Sequence, residues 1–121
     1  MAWLDREIVV VDDDQGILES FDAMLGEDYP LVTLENGFEA IEYLKSHKPK
    51  LIFLDIKMPG MDGIEVLKRL RQEKVDAAVV IVTATTKAHY EEEAEELGIT
   101  AYLRKPFEVD DVEDIARRVL H

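Results

Sequence analysis

The chain has no cysteine, so neither disulfide bridges nor thiol chemistry are open to it, which fits a reducing, cytoplasmic setting. It is short of bases: 14 lysines and arginines stand against 27 aspartates and glutamates, a formal charge of −13. That balance argues against direct binding of nucleic acid or of an anionic membrane by this domain. No apolar run approaches the roughly 20 residues that a membrane span needs. The opening Met1-Ala2-Trp3-Leu4-Asp5-Arg6 lacks the apolar stretch of a secretory signal. No GxGxxG or P-loop follows any strand-like run, so a glycine-rich phosphate cradle for nucleotides is not expected. His47, His89 and His121 show no ligand spacing, and a zinc site is not expected either. There is no linker, repeat or low-complexity tract.

What is present is a regular alternation over 121 residues, a length that makes one domain, residues 1–121, around a single core. Strand-like runs are expected at Ile8 to Val11, Leu31 to Leu34, Leu51 to Leu54, Ala78 to Val82 and Thr100 to Leu103. Between them the apolar residues take helical spacing. Ile17, Leu18, Phe21, Met24 and Leu25 form one stripe. Phe38, Ile41 and Leu44 form the next, with Asn36 placed to cap it. Ile64, Leu67 and Leu70 follow an Asp62-Gly63 turn. The fourth helix is thin, with Ala94, Leu97 and Tyr90 among Glu91, Glu92, Glu93, Glu95 and Glu96. Its like-charged neighbours make it marginal. The last helix carries Val109, Val112, Ile115, Ala116 and Val119. Repeated βα units predict an α/β doubly wound sandwich with a parallel five-stranded sheet.

The acids stand out against this frame. Leu51-Ile52-Phe53-Leu54 reads as a buried parallel strand and runs into Asp55, then into Pro59-Gly60 and Gly63, which force a loop. Ile8-Val9-Val10-Val11 runs likewise into Asp12-Asp13-Asp14. The crevice beyond the carboxyl ends of parallel strands is where open α/β sheets bind ligands. Two strands that deliver acids to one edge make a multivalent carboxylate pocket. Two unit charges about 4 Å apart repel by roughly 4 kcal/mol at an effective dielectric near 20. A hard, oxygen-seeking cation relieves that repulsion.

Four blocks, in this order, carry a family resemblance: Val11-Asp12-Asp13, the run from Leu54 to Gly63, Val82-Thr83-Ala84, and Tyr102-Leu103-Arg104-Lys105-Pro106-Phe107. Along essentially its whole length the chain resembles the receiver domain of two-component response regulators. The resemblance implies the flavodoxin-like (βα)5 sandwich with strand order 2-1-3-4-5. It implies that Asp55 is the phosphoryl acceptor, a carboxylate nucleophile that needs no base at neutral pH. The plain alternative is an Asp that only forms the turn.

The resemblance further implies a Mg2+ (or Mn2+) site formed by Asp13, Asp55 and the backbone carbonyl of Lys57, with Asp12 acting through water. Asp14 is read as a helix cap and left out of the site. Thr83 is the expected hydroxyl sensor of the phosphoryl group; as an ordinary strand residue it needs no such role. Lys105, a solvated charge in most contexts, is expected to pair with the acids and then with the phosphoryl group. Its bond to Pro106 is expected to be cis, aiming the lysine into the pocket. Tyr102 resembles the aromatic switch residue, and Lys57 and Thr85 occupy positions that tune hydrolysis.

The expected function is thus a phosphorylation-dependent switch. A sensor histidine kinase or histidine phosphotransfer protein supplies the phosphoryl group. The face formed by the fourth helix, fifth strand and fifth helix then controls an output domain or downstream protein. Such a domain catalyses its own phosphorylation and dephosphorylation but is a signalling switch more than a turnover enzyme. The alternative of another class is a receiver-like interaction module that works without phosphorylation. Among enzymes, the haloacid-dehalogenase phosphatases also use a strand-end Asp, but they want a second acid two residues on, where this chain has Lys57. The chain is expected to be a stand-alone regulator, a relay intermediate or a domain of a longer protein. The last is favoured because Val119-Leu120-His121 falls so close to the domain limit. Homodimer formation through its last two units is left open.

Overall fold

A computed structural model describes residues 3–84 and 90–121. Five parallel strands form one sheet: β1 (Ile8–Val11), β2 (Leu31–Leu34), β3 (Leu51–Asp55), β4 (Ala78–Thr83) and β5 (Ala101–Arg104). Their order is β2-β1-β3-β4-β5, the order that the resemblance implied. Each expected strand forms. Those at β3 and β4 run one residue further than expected, to Asp55 and Thr83, and β5 is displaced by one residue. The helices are α1 (Gln15–Leu25), α2 (Gly37–Leu44), α3 (Gly63–Gln72), α4 (Glu91–Glu96) and α5 (Val109–Leu120).

Period-two alternation sorts the strand residues onto two cores. Ile8, Val10, Leu51, Phe53, Val80 and Val82 face α1 and α5, where Phe21 and Ala116 meet them. Val9, Val11, Ile52, Leu54, Val79 and Ile81 face α2, α3 and α4. Strands β1, β3 and β4 are buried on both faces almost throughout, which is why they read as unbroken apolar runs. Strands β2 and β5 are the sheet edges and are only partly covered.

Helix starts follow the side chains that satisfy their first amides. Asp14 accepts from the Gly16 amide, Asn36 from Glu39 and Asp62 from Glu65. Asp14 is thus the cap expected of it. Two apolar residues assigned to buried stripes lie outside them. Phe38 is 59% exposed and Val109 is 48% exposed. Both sit in the first turn of their helix. The Phe38 ring covers Gly60 instead.

Candidate functional site: an acidic pocket at the carboxyl edge of the sheet

Strand order reverses between β1 and β3, because β1 lies between β2 and β3, and the acids gather at that point. Asp12 follows β1 and Asp55 ends β3, each continuing the alternation phase that faces α1 and α5. Asp12, Asp13 and Asp55 each bring a carboxylate oxygen into a group whose members all lie within 4.8 Å of one another. Asp12 and Asp55 are buried, and Asp13 is open to solvent. The cavity holding them has a volume of about 360 Å3 and is lined also by Asp14, Lys57, Thr83, Ala84 and Lys105. Every residue singled out in the sequence for this pocket therefore lines it; Tyr102 and Thr85 are separate cases.

Lys105 enters from the end of β5. Its Nζ stands 2.9 Å from Asp12 Oδ2 and 3.6 Å from Asp55 Oδ1. The peptide bond to Pro106 is cis. Phe107 then packs against Phe21 of α1, their ring centroids 5.0 Å apart, and Phe21 packs in turn on Phe53 at 4.7 Å. A cluster of three tilted rings thereby anchors the segment that carries the lysine. Asp12 is held at its other oxygen, where Oδ1 accepts from the Asp14 amide at 2.9 Å.

Electrostatics follow from this crowding. Burial and the neighbouring Asp12 raise the Asp55 carboxyl to about 6, against the pull of Lys105. Burial works to lower Lys105, but Asp12 and Asp55 outweigh it and its ammonium ends above the usual range. Asp12 Oδ2 has the ammonium at ion-pair distance yet, among the described residues, no donor aligned on it. Three carboxylate oxygens within 4.8 Å of one another, with one ammonium set against two of them and one oxygen buried without a directed hydrogen bond, fit a hard divalent cation.

The β3–α3 turn is built around a residue that the sequence showed only as part of a turn. Gly63 opens α3, and its amide donates to Ile56 O at 2.8 Å. A Cβ there would lie 2.2 Å from Asp55 O. Only glycine lets α3 start against the backbone of the strand-end acid. Its place directly after Asp62, a capping residue, was the available signal.

Thr83 ends β4 and is buried, with its Oγ1 accepting from the Tyr90 hydroxyl at 2.9 Å. That partner was missed in the sequence, where Tyr90 counted only as an apolar residue of the fourth helix. Tyr102 does not reach the acidic pocket. It is partly exposed on β5, and its hydroxyl donates to Glu91 O at 3.3 Å. Thr85, expected to tune hydrolysis, lies outside the described residues, as does His89.

The family profile described as "Response regulator receiver domain" matches residues 8–117. The chain belongs to that family. This receiver is 34% identical over 118 residues to sporulation initiation phosphotransferase F of Bacillus subtilis, covering 97% of this chain and 95% of that protein. It is 37% identical over 119 residues to the DNA-binding transcriptional regulator NtrC of Escherichia coli, covering 97% of this chain but 25% of NtrC. The receiver therefore spans nearly all of the first relative and about a quarter of the second.

Among solved structures, the Vibrio cholerae chemotaxis protein CheY4 superposes with a TM-score of 0.88 at 26% identity, covering 95% of this chain and 98% of that one. The receiver domain of the sensor histidine kinase PA1611 from Pseudomonas aeruginosa has the same fold, with a TM-score of 0.85 at 23% identity over 95% of this chain and 97% of its own. That structure has a magnesium ion coordinated in its active site cleft. Among the described residues of this receiver, no helix is long and apolar enough to cross a membrane.

Proposed function

We propose that this receiver is a Mg2+-dependent phosphoacceptor switch with Asp55 as the acceptor. The observation that carries the reading is the gathering of Asp12, Asp13 and Asp55 within 4.8 Å of one another, with the Lys105 ammonium against Asp12 and Asp55. A pocket of this kind is charged, oxygen-rich and open at one side, and it suits a phosphoryl group bound between a cation and an ammonium.

In the proposed reaction an Asp55 carboxylate oxygen attacks phosphorus in line. An O–P bond forms as the N–P bond of a phosphohistidine breaks, and the imidazole, protonated at its other ring nitrogen, leaves neutral. Lys105 moves from pairing with Asp12 and Asp55 to pairing with the phosphoryl oxygens, so positive charge is present before and after transfer. Thr83, at the cavity wall, offers a hydroxyl to one of those oxygens. Asp13, Asp55 and the Lys57 carbonyl would hold Mg2+, with Asp12 acting through water. When bound, the ion supplies charge neutralisation at the transferring group. Hydrolysis returns the free carboxylate, and Lys57, which lines the cavity, is placed either to obstruct the attacking water or to point to solvent.

The phosphoryl donor is a sensor histidine kinase or a histidine phosphotransfer protein, and the setting is cytoplasmic. Output runs through α4, β5 and α5, with Tyr102 on that face, to an output domain or a downstream protein. Intact-protein mass after incubation with acetyl phosphate and Mg2+ tests the reading. A gain of one phosphoryl group is expected, absent in Asp55→Asn and absent without metal. A wild-type protein that binds Mg2+ yet gains no mass would leave phosphorylation-independent binding as the better account.

A further inference from the structure

Thr83 and Tyr90 form a polar contact that joins the acidic pocket to α4. Val79 and Ile81 face α2, α3 and α4, and the period of two carries Thr83 to that same side. There its Oγ1 accepts from the Tyr90 hydroxyl at 2.9 Å, with Thr83 and Tyr90 each 7% exposed. Tyr90 immediately precedes α4, and its ring belongs to the apolar cluster that seats Ala94 of α4 and Tyr102 of β5. The place beside Thr83 is therefore occupied by Tyr90, while Tyr102 is turned to the Glu91 carbonyl.

The other end of α4 is tied by a different device. Arg71 of α3 donates to Leu97 O at 2.8 Å and to Gly98 O at 2.7 Å, the carbonyls at the helix end. The same guanidinium reaches Val75 O and Ala77 O, so it is braced against the α3–β4 connection. One end of α4 is thus clamped to α3, and the other is tied to the sheet through a hydroxyl that the phosphoryl chemistry calls on. With five glutamates and only six residues, α4 has little intrinsic stability to resist loss of a tie.

We propose that Tyr90 is a positioning residue for Thr83, a latch that holds the hydroxyl toward α4 until a phosphoryl group competes for it. The consequence for transfer rests on the proposed function; the latch itself does not. When Thr83 turns to the phosphoryl group, the Tyr90 bond is given up and the start of α4 is released. The Arg71 end stays in place, so the motion is a pivot.

Tyr90→Phe keeps the ring and removes only the hydroxyl, so it separates the latch from plain packing. The first readout needs no phosphorylation: amide hydrogen exchange of the resting protein. Exchange at Ala94, whose amide donates to Tyr90 O, is expected to rise about three- to tenfold in Tyr90→Phe and in Thr83→Val. The double variant is expected to equal either single one, and exchange at Gly98, beside Arg71, is expected to stay unchanged. Unchanged exchange at Ala94, or effects that multiply in the double variant, would overturn the latch.

The second readout is the rate of phosphoryl uptake from acetyl phosphate at equal Mg2+ affinity. It is expected to rise about two- to tenfold in Tyr90→Phe, the equivalent of one net hydrogen bond. A fall in that rate would instead assign Tyr90 to support of Thr83 and overturn the latch. Failure of the wild type to take up phosphate would sink the proposed function, and the exchange arm would still decide the latch.

Discussion

The Lys105 ammonium stands 2.9 Å from Asp12 and 3.6 Å from Asp55, so the resting lysine leans on the acid that is not the proposed acceptor. Asp55 thereby keeps the weaker share of the positive charge, and the ammonium competes with any cation for the same oxygens. Lys105→Met is expected to bind Mg2+ about threefold or more tightly, since a positive charge near the site is gone. It is also expected to lose about tenfold or more in the rate of phosphorylation, because charge on the phosphoryl oxygens goes unanswered. Titration calorimetry with Mg2+ and mass-resolved uptake from acetyl phosphate measure the two effects. Their opposite signs are the point of the prediction.

Asp55 makes the stability of the metal-free protein depend on pH in an unusual direction. Its carboxyl is raised from 3.8 to about 6 in the folded chain, by burial first and by Asp12 next. The folded state therefore binds this proton more tightly than the unfolded one, and the contribution is stabilising on the acid side. That contribution is fully present below the unfolded value and is lost as pH rises through about 6. In urea titrations with chelator present, wild type is expected to gain on Asp55→Asn as pH falls from about 7 to about 5. Saturating Mg2+ is expected to abolish the trend. A difference between the two proteins that does not vary with pH in chelator would refute the assigned direction.

Gly63 is expected to tolerate no side chain. A Cβ would lie 2.2 Å from Asp55 O, 2.9 Å from Ile56 Cα and 3.0 Å from Asp55 C, all backbone atoms with little freedom to move. Gly63→Ala is expected to cost about 3 kcal/mol in urea denaturation and to displace the acceptor, so phosphorylation falls with stability. Gly98→Ala is the useful contrast. Its φ of +81° strains an alanine, but no atom of the described residues lies within 4 Å of the new Cβ. A cost of about 1 kcal/mol with phosphorylation intact is expected there.

Arg71 makes a third kind of demand, because one side chain serves four carbonyls, those of Val75, Ala77, Leu97 and Gly98. Arg71→Met keeps much of the apolar stem and removes every donor. It is expected to destabilise the protein by about 2 kcal/mol, since hydrogen bonds from a charged donor are lost at partly buried acceptors. Hydrogen exchange at the Gly98 amide is expected to rise, and Mg2+ affinity is expected to stay as it was. Arg71→Lys is expected to recover little, because a single ammonium cannot match the fork of a guanidinium.

The parts of this protein legible in its sequence are those that local rules control. Buried strands flanked by caps and turns are readable because burial on both faces demands unbroken apolar runs, as in Leu51–Asp55 and Ala78–Thr83. The caps at Asp14, Asn36 and Asp62 are readable because a side chain satisfies amides only two or three residues away. Strand-end residues converge on one edge because every strand is parallel, and so Asp12, Asp13, Asp55, Thr83 and Lys105 could be named together. Helical spacing was less reliable at helix starts: Phe38 and Val109 have the right period but are exposed in the first turn.

The amino-acid sequence by itself determined the alternation of elements, the acids at the strand ends and the motifs that mark the receiver family. Only the tertiary structure decided which groups became partners across it. Tyr90 and Tyr102 are both aromatic residues near α4, yet it is Tyr90 whose hydroxyl meets Thr83. Arg71 lies 26 residues from Leu97 and reaches it because α3 and α4 share a face of the sheet. Lys105 leans toward Asp12 because the Phe107, Phe21 and Phe53 rings hold its segment against α1. Period and propensity act over a few residues, whereas hydrogen bonds and ion pairs depend on ångström distances that exist only once the layers have packed.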